Sequence, residues 1–138
     1  MKYICLGYMS EKKSEAMSDA ELDAALAECF EYDSVLREKG HLIGGEVLQS
    51  PRSAKSLRWR SGKVSVAEGP FAVAREQLTG ILSLQVPNLR HAVRLMSKHP
   101  SVRMGMCWEI RPTADMTTVM KENGRRRSDG ERYFFTPS

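Results

Sequence analysis

The chain has 138 residues, 41% of them hydrophobic and 28% charged, an ordinary soluble composition and long enough for one domain that buries roughly two thirds of its unfolded surface without metals or disulfides. Its 21 basic and 17 acidic residues leave a net charge of +4, and because they are interleaved the charge calls for neither a nucleic-acid nor a membrane partner. Cys5, Cys29 and Cys107 are an odd number set inside regular segments, which reads as reduced thiols rather than a disulfide framework. No apolar run nears the roughly 18 residues a membrane span needs, and Met1 to Met9 lack a signal-type apolar core, so a cytoplasmic protein is expected.

Lys2 to Met9 alternate with both faces apolar, Ile4, Leu6 and Tyr8 against Tyr3, Cys5 and Met9, the pattern of a central strand. Ser18 and Glu21 have capping-box spacing. Leu22, Ala25, Leu26, Cys29, Phe30 and Leu36 then form a helical stripe that Asp33 interrupts and Gly40 ends, so a helix is predicted over 19–39. His41 to Gln49 reads as a strand bent or bulged at Gly44 and Gly45 and closed by Pro51. Leu57 to Arg60 and Lys63 to Val66 flank the turn residues Ser61 and Gly62 as a hairpin. Thr79 to Val86 alternates again. Pro87 and Asn88 open a second helix whose apolar positions, Leu89, Ala92, Val93 and Met96, keep helical spacing as far as Pro100. Met104, Met106, Trp108 and Ile110 alternate against Arg103, Gly105, Cys107, Glu109 and Arg111 as a strand with one core face and one polar face.

Strand, long helix, strand, hairpin, strand, helix, strand is the order of an α+β, ferredoxin-like split βαβ fold with an inserted β-hairpin: an antiparallel sheet covered by two helices. Helices on one face leave the other bare, and the apolar residues there predict a homodimer joined through its sheets.

The segments KYICLGY, LREKGHLIGGEVLQSP, SGKVSVAEGPFAVAREQLTGI and EIRP, in that order, resemble the YCII-related proteins, in particular the branch named for its DGPF motif. The resemblance covers residues 1–112, taken as the domain, and leaves 113–138 as a C-terminal extension. It implies a ferredoxin-like fold dimerising into an α/β barrel, with a pocket between sheet and helices near the DGPF loop. A few relatives are thought to act on small chlorinated aromatic or lactone compounds. The motif's Asp is Glu68 here. A neighbouring branch carries a His on the first helix and an Asp before the proline that follows the second; this chain offers Cys29 or Phe30 and His99 at those places, so that catalytic pair reads as absent.

Glu68, before Gly69 and Pro70, is a carboxylate that the loop could aim into a pocket as a general base beside Phe71, or that could cap a turn. Glu46 lies within an apolar run, where a carboxylate needs Arg111 or Arg58 as a structural partner or else anchors a substrate. His41, at a helix C-terminus that favours its cationic form, is either a second acid–base group or a boundary residue. Arg111 shares a strand face with Glu109 and either clamps an acidic substrate or belongs to a salt-bridged surface. Glu68 and His41 are thus the catalytic candidates, with Glu46, Phe71, Arg111 and Tyr8 around the substrate. His91 and His99 lack companions at ligand spacing and no glycine-rich loop joins a strand to a helix, so neither metal nor cofactor is expected. Cys107 reads as a small buried hydrophobe.

Two function classes follow: an enzyme carrying out proton transfer, elimination or isomerisation on a small acidic or aromatic compound, or a non-catalytic dimeric module that senses a ligand or binds a protein. In the extension, Arg125, Arg126 and Arg127 beside Gly124 read as a solvated basic turn. Tyr133, Phe134 and Phe135 predict a segment that docks on the body or on the second subunit.

Overall fold

The computed structural model describes residues 1–72 and 74–128. Strand β1 (Lys2–Ser10) leads through a short helix α1 (Glu11–Glu15) to the long α2 (Asp19–Glu38). Ser18 opens α2 as expected, its Oγ accepting the Glu21 N–H at 3.1 Å, which satisfies one of the amide donors a helix start leaves open. Strand β2 (Leu42–Val47) follows, then a single 3-10 turn at Pro51–Ser53 and the hairpin β3 (Lys55–Arg60) and β4 (Lys63–Glu68). The chain continues as β5 (Glu76–Gln85), α3 (Leu89–Ser97), α4 (Pro100–Arg103), β6 (Cys107–Pro112) and α5 (Met116–Ser128).

The main sheet runs β2-β5-β1-β6, all antiparallel, and β3 and β4 form a separate two-stranded ribbon. The architecture is α+β, an antiparallel sheet with helices, consistent with the ferredoxin-like plan. The β2–β5 ladder slips between Leu42 and Gly44, at the double glycine where the sequence predicts a bend.

Tyr3, Cys5, Leu82 and Leu84 face the helices and meet Leu36, Leu42, Val86, Ala92 and Met96 in one core. The Tyr32 hydroxyl of α2 donates to the Leu95 carbonyl of α3 at 2.6 Å, joining the two helices above it. On the opposite face Ile4, Leu6 and Tyr8 are half-buried.

Three local expectations are corrected. The last strand begins at Cys107 rather than Met104, because Pro100 starts a helical turn and Gly105, at φ 101°, reverses the chain out of it. Residues 116–128 form α5, not a basic turn, the helix running through Gly124 despite the ~1 kcal/mol that a mid-helix glycine costs. Cys107 is exposed on the outer sheet face, not buried. The aromatic run Tyr133, Phe134 and Phe135 lies outside the described residues.

Candidate functional site

A row of residues across the sheet explains where a cavity on its helix side comes from. Val47 lies opposite Gly80, Gly80 opposite Gly7, and Gly7 opposite Trp108, on four neighbouring strands. With no side chain at Gly7 or Gly80, the Trp108 indole lies down over the sheet. A Cβ at Gly7 would stand 2.8 Å from Trp108 Cη2 and Cζ3, and one at Gly80 would touch the same ring at 4.0 Å. The indole contributes to the wall of a cavity of about 400 Å³ between α2, α4, β2 and β5. Leu26, Cys29, Phe30, Met104 and Met106 supply most of its apolar wall.

The polar part of the wall is a chain of hydrogen bonds. His99 precedes Pro100, which biases its backbone toward the extended region, and it N-caps α4, with Nδ1 accepting the Ser101 N–H at 3.2 Å. Ser101 Oγ lies 2.6 Å from the same Nδ1 and 2.7 Å from Trp108 Nε1. An indole N–H can only donate, so Ser101 Oγ accepts from Trp108, and because the Ser101 backbone N–H already donates to Nδ1 while Nε2 faces the Asp33 carboxylate, the Ser101 hydroxyl proton goes to His99 Nδ1. Nδ1 therefore carries a lone pair facing two donors, and the imidazole proton sits on Nε2, donating to Asp33 Oδ1 at 2.9 Å. The order is Trp108 to Ser101 to His99 to Asp33. His99 and Ser101 are buried, whereas the Asp33 side chain keeps 16% of its surface. The His99 ring is held edge-on by Tyr32, 5.4 Å between centroids, and leans on Trp108 at 5.6 Å.

The negative charge of Asp33 is felt by its neighbours. The Cys29 thiol is pushed up by burial first and then by Asp33 and Glu28, against a smaller opposing effect of the Ser101 N–H. Burial and Asp33 likewise raise Tyr32. Cys29 therefore stays a protonated thiol at neutral pH and serves as an apolar wall.

The sequence-derived candidates lie elsewhere or at the rim. Glu46 borders the cavity from β2 but is exposed, opposite Ile81 in the ladder. Glu68 ends β4 with its carboxylate 2.6 Å from Lys55 Nζ, both side chains open to solvent. Phe71 is exposed under the Arg58 guanidinium, 4.0 Å from the ring centroid. His41 stacks edge-on against His91 at 5.0 Å. Arg111 is exposed on β6 opposite Ile4, and Tyr8 is half-buried between Leu78 and Cys107. Within one chain Glu68, His41 and Arg111 do not converge.

The pair that the sequence reading finds missing has a counterpart in the structure. A His–carboxylate pair is present, with the types exchanged: the acid, Asp33, is on the long helix and the histidine, His99, precedes the proline. The signal for it was the break in the apolar stripe of α2, an acid on an inward-facing turn. Its mate stands 66 residues away, a distance that no spacing rule bridges. Among the described residues no cluster of three His, Cys, Asp or Glu could hold a metal ion, and no helix is long and apolar enough to cross a membrane.

An antiparallel sheet backed by helices, with a cavity whose wall carries a hydrogen-bonded His–carboxylate pair, defines a small α+β protein. The YCII-related domain matches residues 1–117, and the chain belongs to that family. It is also 29% identical over 118 residues, 83% of this chain and 93% of the other, to the uncharacterized protein R00369 of Rhizobium meliloti (strain 1021).

Proposed function

We propose that this YCII-related protein takes a small, largely apolar molecule into the cavity over Trp108 and that the Asp33–His99 pair moves a proton on it. The observation that carries the reading is the Trp108–Ser101–His99–Asp33 chain, which ends in a carboxylate on the wall of the cavity. A general base must reach its proton at hydrogen-bond distance inside a site that limits water. Asp33 meets both conditions within one chain, whereas Glu68 would need another surface to close over it. Isomerisation or elimination on a compound with an acidic O–H, N–H or C–H is the reaction class that one carboxylate, held from behind by an imidazole, can support.

A thermal-shift screen of small phenols, acids and lactones tests this, since a ligand at about 100 times its Kd adds roughly 2.7 kcal/mol. Compounds that stabilise the protein should lose that effect in Asp33→Leu and keep it in Glu68→Gln. Turnover is read by NMR as deuterium uptake or isomerisation of the bound compounds. Stabilisation that survives Asp33→Leu but is lost in Glu68→Gln would place the site at the hairpin instead.

A second reading, a dimeric interaction module without chemistry, draws on the ribbon. Leu57, Trp59, Val64 and Val66 share one face of β3–β4 by their register and are each more than half exposed. A two-stranded hairpin is marginal by itself in water, and such a face favours a protein surface as its cover. The half-buried Ile4, Leu6 and Tyr8 on the outer sheet face support a homodimer in either reading.

A further inference from the structure

Asp33 is the end of the hydrogen-bond chain that meets the cavity, and its geometry says what it can recognise. Oδ1 is occupied by the His99 Nε2–H. Among the described residues no hydrogen bond or ion pair reaches Oδ2. The one unpartnered buried side-chain oxygen or nitrogen among those residues is Asn123 Oδ1, so Oδ2 keeps accessible surface. The carboxylate therefore has a fixed, donor-saturated side and a free acceptor side. Everything deeper is locked: Trp108 can only donate, Ser101 passes that polarity on, and His99 has no free nitrogen to offer a ligand. The cavity that Asp33 borders has an apolar wall of Leu26, Phe30, Met104, Met106 and Trp108, with Ser34, Arg37 and Glu46 exposed at the rim.

Resting on the proposed site, we infer that its ligand is a neutral molecule with a flat apolar body and one polarised O–H or N–H, bound through that donor to Asp33 Oδ2, and that carboxylate anions are excluded. A flat body lies on the indole in that wall, and its donor gives Oδ2 the charge-assisted bond the fold withholds. An anion placed there would face the Asp33 charge across an apolar gap, and the donors that the other lining residues offer, the Arg37 guanidinium and the Ser34 hydroxyl, are exposed at the rim, where water screens them. The Trp108–Ser101 pair is a positioning device: it holds the His99 proton on Nε2 and so keeps the outward group an acceptor.

Phenol, anisole and benzoate separate the alternatives, followed through the Trp108 indole N–H resonance with Trp59 on the hairpin as internal reference. In the native protein phenol should bind roughly tenfold or more tightly than anisole, the worth of one hydrogen bond to a charged acceptor, and benzoate should be the weakest. Asp33→Asn gives the sharper readout. Its amide oxygen must take the His99 Nε2–H, which turns Nδ2–H₂ toward the cavity, so the order should reverse and benzoate should overtake phenol. Equal binding of phenol and anisole, or an Asp33→Asn variant that keeps the native order, would overturn the inference while leaving the cavity as the site. If none of the three moves Trp108 and the Trp59 resonance shifts instead, the inference and the proposed site both fall.

Discussion

Replacing Gly7 by alanine adds one methyl group where the structure leaves no room for it. The new Cβ would lie 2.6 Å from Met106 Cε and 2.8 Å from two carbons of the Trp108 ring. Met106 ends in a flexible thioether and can swing aside. Trp108 cannot do so freely, because its Nε1–H is bound to Ser101 and its ring leans on His99. Crowding of this kind costs about 1–3 kcal/mol, and tilting the indole off Ser101 would add about 1 kcal/mol for the lost hydrogen bond. The sum, about 2–4 kcal/mol, corresponds to a fall in Tm on the order of 10 °C for a domain of this size. Gly44→Ala in the same sheet is the control: its Cβ would meet Ser83 at an ordinary 3.9 Å, and without crowding a Gly→Ala change in a strand is neutral or stabilising by up to about 1 kcal/mol. Urea denaturation of both variants, with the Trp108 indole N–H resonance as local probe, gives the comparison. Gly7→Ala as benign as Gly44→Ala, with that resonance unmoved, would refute the placement of the indole over Gly7 and with it the origin of the cavity.

Burial raises the Cys5 thiol from 9.0 to about 12. A raised folded-state pKa contributes stability that is complete below pH 9 and is lost as pH climbs toward 12, so unfolding free energy should fall by about 1.4 kcal/mol between neutral pH and pH 10, and Cys5→Ala should flatten that fall. Thiol titration of the native protein with a disulfide reagent should count one fast cysteine, the exposed Cys107, and three after denaturation. A hydrogen bond and the negative charge of Glu76 raise the Cys107 thiol, so Glu76→Gln should speed that reaction at pH 8. Sedimentation equilibrium should give twice the chain mass if the outer sheet face is an interface, and Leu6→Lys should return the monomer; a native monomer would remove the homodimer from both functional readings.

The fold was largely legible because its signals are local. Ser18 and Glu21 announce the start of α2 three residues apart, and the two-sided alternation of Tyr3 to Met9 announces a strand in the middle of the sheet. The misreadings sit where two local signals compete. From Met104 to Ile110 the alternation is real, but Pro100 and Gly105 impose a helical turn and a reversal on its first part. At Gly124 the propensity against helix is outweighed by the residues around it. The site was mostly illegible for a different reason. Asp33, His99 and Trp108 come from three elements, and the cavity they share depends on missing side chains at Gly7 and Gly80, which sequence patterning reads only as weak strand positions. Glu68, conspicuous in its Gly-Pro loop, proves to be bonded to Lys55 across the hairpin.

The direction of the hydrogen-bond chain underlies the whole account, and NMR of the imidazole nitrogens reads it directly. In protein labelled with 15N-histidine, with His41→Gln and His91→Gln used for assignment, His99 should show a protonated, pyrrole-like Nε2 and a pyridine-like Nδ1 that accepts from Ser101. A proton found on Nδ1 instead would reverse the Ser101–His99 and His99–Asp33 bonds, leaving only the Trp108 donation as it is, and contradict the site as described.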